Sequence, residues 1–166
     1  MTPQISPFWR AAPLLLLAHA LQTTWFSTPL FGLARPDLPF LVALSLALLG
    51  GVEVGAVAGI AAGVLSGLGA AWHGGSFLVS RALPPALFGA LARRFAVFHP
   101  FAPPLCAFVA TGLVDALFLL MSPTDFSLFW MVRHAGLTGL LHAGLIWPIF
   151  WLVARVVKPP QRPLFV

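Results

Sequence analysis

Four glycines recur at intervals of four residues inside an apolar stretch that runs from Gly51 to Gly69. They are Gly55, Gly59, Gly63 and Gly67. An α-helix has about 3.6 residues per turn, so this spacing stacks the four glycines on one face. In water each glycine costs a helix roughly 1 kcal/mol relative to alanine, which argues against a soluble helix. In lipid the backbone N–H and C=O groups must hydrogen-bond to each other, so the helix forms. Its glycine face then becomes a groove for another helix.

The glycine groove has two interpretations. It packs against a helix of the same chain, or it binds a helix of another protein. We expect intramolecular packing, because four aligned glycines allow two backbones of one bundle to touch over about three turns.

The composition indicates a membrane protein. Hydrophobic residues make up 60% of the 166 residues and charged residues 8%, and the mean hydropathy is +0.97. A soluble domain has roughly 25% charged residues. At about 20 residues per span, we predict an all-α integral membrane protein with about six transmembrane helices in one bundle, a single polytopic domain over residues 1–166.

The apolar runs place the predicted helices. The first run reaches Phe26 and is read as a retained helix rather than a cleaved signal peptide. Prolines within the fourth and last helices predict bends there. The predicted ranges are 38–49 for the second helix, 51–69 for the glycine helix, 76–95 and 104–121 for the fourth and fifth, and 135–157 for the sixth, preceded by a short interfacial helix over 124–134.

The net charge of +5 indicates orientation rather than nucleic-acid binding, since basic residues of membrane proteins concentrate on the cytoplasmic side. Both termini are predicted to be cytoplasmic. That topology leaves only Arg35 and Arg133 on the outer side, against six basic residues inside: Arg10, Arg93, Arg94, Arg155, Lys158 and Arg162.

Charges within the predicted spans need partners, because a lone charge at depth costs about 2.5–3.5 kcal/mol on insertion scales. Asp115 and Arg81 have similar predicted depths in neighbouring helices, so we predict an intramembrane ion pair between them. The alternative is a polar patch open to the outside that a partner or a small solute contacts. His19 and Gln22 are predicted to form a buried pair, and Glu53 to interact with the positive start of the glycine helix.

No catalytic, cofactor-binding or metal-binding set is visible in the sequence. The five histidines are scattered, and none has the spacing of a known metal motif. The glycine run lacks the ending of a phosphate-binding loop. Cys106 is the single cysteine, which excludes an internal disulfide. We therefore expect neither an enzyme nor a cofactor.

The order of motifs resembles the rod-shape-determining protein family MreD. The resemblance rests on RPDLPFLVALSLALLGG at 35–51, the glycine helix, a helix ending in ARR at 92–94, and GLLHAGLIWPIFWLVAR at 139–155. Two positions depart from the family pattern. Gly67 stands where many members have an acidic residue, and His142 lies close to the place of a polar amide.

The resemblance implies a non-enzymatic scaffold of the cell-elongation machinery in the bacterial inner membrane. It implies binding to the bitopic protein MreC and, through it, to peptidoglycan synthases and an actin-like filament. MreD is similar in fold to the S-components of energy-coupling-factor vitamin transporters, so the alternative function is a subunit that binds a small solute. For the partner-helix surface we favour the small-residue face of the last span: Ala135, Gly136, Gly139, Ala143 and Gly144.

Overall fold

The computed structural model describes residues 7–26, 28, 34–68, 74–92, 99–122 and 128–157. These residues form a bundle of six α-helices preceded by a short 3-10 helix, which confirms the all-α prediction. The 3-10 helix is Pro7–Ala11, and the α-helices are α1 Ala12–Thr24, α2 Leu38–Gly50, α3 Val52–Leu68, α4 Gly74–Leu91, α5 Ala102–Met121 and α6 Leu128–Val157.

Two helices of the described part are long and apolar enough to cross a membrane. They are α5, over Ala102–Met121, and the part of α6 over Val132–Val157. Helices α2 and α3 are apolar but shorter, with 13 and 17 residues. Arg93, Arg94, Lys158 and Arg162, on which the predicted orientation depends, lie outside the described residues.

Helix α2 forms the centre of the bundle. Every residue from Leu38 to Leu49 is buried, and α2 contacts each of the other five α-helices. Its sequence is apolar on all sides, which is typical of a helix surrounded by protein. It ends at Gly50, and the chain turns directly into α3 at Gly51, whose φ of 89° only glycine adopts at little cost.

The glycine face of α3 packs against the backbone of α4. A Cβ atom built on Gly55 would lie 2.5 Å from the carbonyl oxygen of Pro85, and one on Gly59 would lie 2.6 Å from that of Arg81. A Cβ on Gly63 would lie 2.8 Å from the α4 backbone. Gly67 differs, because its nearest neighbour would be at 3.5 Å, an ordinary contact. Three of the four glycines therefore serve packing within the chain.

The prediction of a separate interfacial helix before the last span is wrong for the described residues. Helix α6 is continuous for 30 residues, from Leu128 to Val157, and runs through Pro148. No glycine or proline stands between Leu128 and Ala135, so nothing in that segment interrupts the backbone hydrogen bonds. Residues 123–127, with Asp125, lie outside the described part.

Candidate functional site

A polar cavity of about 370 Å³ lies at one end of the bundle. Its walls come from the carboxyl-terminal halves of α1 and α3, from the middle of α5, and from the amino-terminal halves of α2, α4 and α6. Ionisable side chains are concentrated here, in a chain with few of them. Those lining the cavity are His19, Arg35, Asp37, Arg81, Asp115, His134 and His142.

The start of α2 is buried beside this cavity, and its backbone N–H groups need partners. Asp37 is the N-cap residue, and its Oδ1 accepts a hydrogen bond from the N–H of Phe40 at 3.1 Å. The N–H of Leu38 donates to Oε1 of Gln22 at 2.7 Å. Pro39, between them, has no N–H to satisfy. The expected pairing of His19 with Gln22 is replaced by this bond from Gln22 to the start of α2.

His142 of α6 accepts the remaining N–H at this helix start. The N–H of Asp37 donates to Nε2 of His142 at 2.8 Å, and Nδ1 lies 2.7 Å from Oγ1 of Thr111. A nitrogen that accepts carries no proton, so a neutral ring has its proton on Nδ1 and donates it to Thr111. The Thr111 hydroxyl donates onward to the carbonyl of Ala107 at 2.7 Å. This chain joins α2, α5 and α6 and fixes the orientation of the ring.

Arg81 pairs with Asp37, and the predicted pair of Arg81 with Asp115 is wrong. Nε of Arg81 lies 2.6 Å from Oδ2 of Asp37, with both side chains largely buried. The guanidinium also lies 4.6 Å from the ring centroid of Phe77, a cation–π distance. Similar depth in neighbouring helices did not decide the pairing, because the central position of α2 brings Asp37 to α4. The single carboxylate therefore caps α2 and binds α4.

Three polar atoms in the cavity have no hydrogen-bond partner within the described part of the chain. They are Oδ2 of Asp115, Oγ1 of Thr138 and Oγ of Ser66, and all three are buried. Arg81 and His134 line the same cavity and interact electrostatically with Asp115. Buried polar groups normally have partners. These three atoms take no part in the hydrogen bonds that cap α2, so their presence in the cavity needs another explanation.

The sequence carried a signal for some of these residues. An aspartate before the apolar run of α2 is a typical N-cap, and a histidine in an apolar span is a candidate for a specific role. Neither signal named the partner, since Asp37 and His142 are 105 positions apart. Among the described residues no group of three His, Cys, Asp or Glu side chains is arranged to hold a metal ion.

Only part of the predicted partner-helix surface on α6 is open in the folded chain. A Cβ atom added to Gly136 or to Gly144 would meet no atom within 4 Å, so both glycines are open. A Cβ on Gly139 would lie 2.9 Å from the ring of Phe108 in α5, so this glycine serves packing between α5 and α6. Ala135 and Ala143 are half-buried.

No protein-family model matches the chain, and neither a curated protein nor a solved structure shows significant similarity to it.

Proposed function

We propose that this chain is a non-enzymatic membrane scaffold of the MreD type, which binds the bitopic protein MreC by transmembrane helix packing. It would lie in the bacterial inner membrane with six spans in an S-component-like arrangement and both termini in the cytoplasm. Through MreC it would connect to elongation peptidoglycan synthases and, indirectly, to an actin-like filament. The sequence resemblance supports the family, and one feature of α6 supports the mode of binding.

That feature is the open glycine notch of α6, formed by Gly136 and Gly144 on either side of Leu140. The two glycines are two turns apart, and the Leu140 side chain between them is 64% exposed. Helices associate in lipid by close packing, which small residues permit and large ones prevent. The glycine face of α3 already contacts α4 and is not free for a partner. A single-span helix would therefore contact the exposed Leu140 side chain and place its own side chains in the open space over Gly136 and Gly144.

Co-purification of MreC tests this proposal directly. Gly136→Leu and Gly144→Leu would each fill the notch, and we expect each to reduce the MreC retained by about tenfold, which corresponds to about 1.4 kcal/mol. Gly112→Leu is the matched control, because Gly112 lies in the apolar helix α5 and also has open space around it. Unchanged retention in both notch variants would contradict the proposed interface, and the apolar groove between α4 and α5 near Leu87 and Leu105 would be tested next.

The polar cavity favours a second candidate function, a subunit that binds a small solute. The cavity is lined by residues of all six helices and contains polar atoms that no described residue satisfies. Mass spectrometry of small molecules released from the purified, denatured protein tests this candidate. A stoichiometric solute would favour it, whereas a purified protein that carries none and binds MreC would favour the scaffold.

A further inference from the structure

The polar cavity has more hydrogen-bonding capacity than the start of α2 uses. Asp37, His142 and the oxygen of Gln22 are engaged in capping that helix. The Thr138 side chain lies in the same cavity, in a residue only 6% exposed, and its hydroxyl has no partner among the described residues. Leaving a buried polar group unpaired destabilises the folded protein. An occupant that bonds Thr138 would remove that destabilisation.

The charges of the cavity indicate what kind of occupant fits. Asp115 presents a buried carboxylate oxygen without a partner among the described residues, which suits an ammonium group. Arg81 has five N–H donors, and its hydrogen bonds to described residues run only from Nε to Asp37 and from Nη1 to Ser80. Its Nη2 is therefore available to an anionic group.

The formal charges around the cavity cancel. Arg35 and Arg81 balance Asp37 and Asp115 when the histidines are neutral. A ligand with a single net charge would leave one of these groups uncompensated at low dielectric, whereas a ligand with one charge of each sign would not. The apolar part of the cavity wall includes Phe40, Phe77 and Val114. The volume of about 370 Å³ is at the small end of the range of ligand pockets.

We propose that the cavity binds a small zwitterion, with its ammonium group on Asp115 and its anionic group on Arg81. Thr138 and Ser66 add hydrogen bonds, and the apolar wall contacts a short aliphatic spacer between the two charged groups. This binding deepens the second candidate function by naming a ligand class for the same cavity, and it does not depend on MreC. The two charged groups occur together in free ω-amino acids and in the headgroup of phosphatidylethanolamine, and the experiment separates these two sources.

The test measures the thermal unfolding midpoint of the full chain in nanodiscs of phosphatidylglycerol. The probes are glycine, β-alanine, γ-aminobutyrate and ε-aminocaproate, which differ in spacer length. Butyrate and butylamine, with one charge each, are the control ligands. We expect at least one zwitterion to raise the midpoint by about 5–10 °C at a concentration about one hundred times its Kd, and neither control ligand to do so.

Two variants locate the site. Asp115→Asn neutralises the carboxylate whose Oδ2 has no partner among the described residues. Thr138→Val removes a hydroxyl without a partner among them, so it should fold at least as stably as wild type without ligand. Both should lose most of the ligand-induced shift. Glu53→Gln is the matched control, because Glu53 is exposed in the first turn of α3 and does not line the cavity. It should keep the full shift.

Nanodiscs of phosphatidylethanolamine provide the second arm. If the lipid headgroup is the occupant, wild type without added probe is more stable there than in phosphatidylglycerol, and Asp115→Asn is not. A shift with soluble probes in phosphatidylglycerol alone identifies a free solute. The proposal is overturned if neither the probes nor phosphatidylethanolamine stabilises wild type, or if Asp115→Asn responds as wild type does. Retention of MreC is measured separately, so failure here leaves the scaffold proposal standing.

Discussion

Asp37 stabilises two helices with one side chain, and its two roles can be separated. Asp37→Asn keeps a good N-cap for α2 but removes the charge that binds Arg81. Breaking a buried pair leaves the other charge uncompensated, so we expect Asp37→Asn or Arg81→Gln alone to cost about 3 kcal/mol of unfolding free energy. The double variant should cost clearly less than the sum of the two. Reversible unfolding in detergent measures all three.

A second double-mutant cycle, with Asp115→Asn and Arg81→Gln, is the control for the pairing of Asp37 with Arg81. Asp115 lines the same cavity and carries the same charge, but Arg81 forms its ion pair with Asp37. We expect the coupling energy with Asp115 to be much smaller than that with Asp37. A larger coupling to Asp115 would show that the two carboxylates exchange roles in the folded protein.

The pair of helices α3 and α4 depends on backbone contact that a single methyl group disrupts. Gly59→Ala would place its Cβ 2.6 Å from the carbonyl oxygen of Arg81, so the two helices must separate. We expect a loss of about 1–3 kcal/mol and a lower folded yield. Gly67→Ala meets only an ordinary contact at 3.5 Å and should gain up to about 1 kcal/mol from helix propensity. Equal effects of the two changes would mean that the contact of α3 with α4 is looser than its geometry indicates.

At the scale of the whole molecule, the proposed number of membrane spans can be tested by labelling from both sides of the bilayer. If all six helices cross, the turn before α3 and the start of α4 lie on opposite sides. We expect Val52→Cys to react with an impermeant thiol reagent only from the cytoplasm, and Gly74→Cys only from outside. Both positions are exposed, and the buried native Cys106 is the unreactive control. Labelling of both from one side would mean that α3 does not cross the bilayer.

Most helix boundaries were predictable from the sequence, because they depend on local chemistry. Apolar runs bounded by Gly51 and by the proline-aspartate pair at 36–37 gave the limits of α2 and α3 to within one residue of those in the structure. The spacing of Gly55, Gly59 and Gly63 predicted a helix-packing face, because 3.6 residues per turn places them together. The break before the last span was mispredicted, because a stretch longer than one span does not have to be interrupted, and α6 continues for 30 residues from Leu128.

The partners of the polar residues were decided only by the tertiary structure. Helix α2 is apolar on every side, so its sequence does not fix which face meets which neighbour. The rotation and central position of α2 bring Asp37 to Arg81 and to His142, across 44 and 105 positions of sequence. Depth along a helix is a property of one segment and can be read from hydropathy. Proximity across a bundle depends on how all six helices pack, and no single segment encodes it.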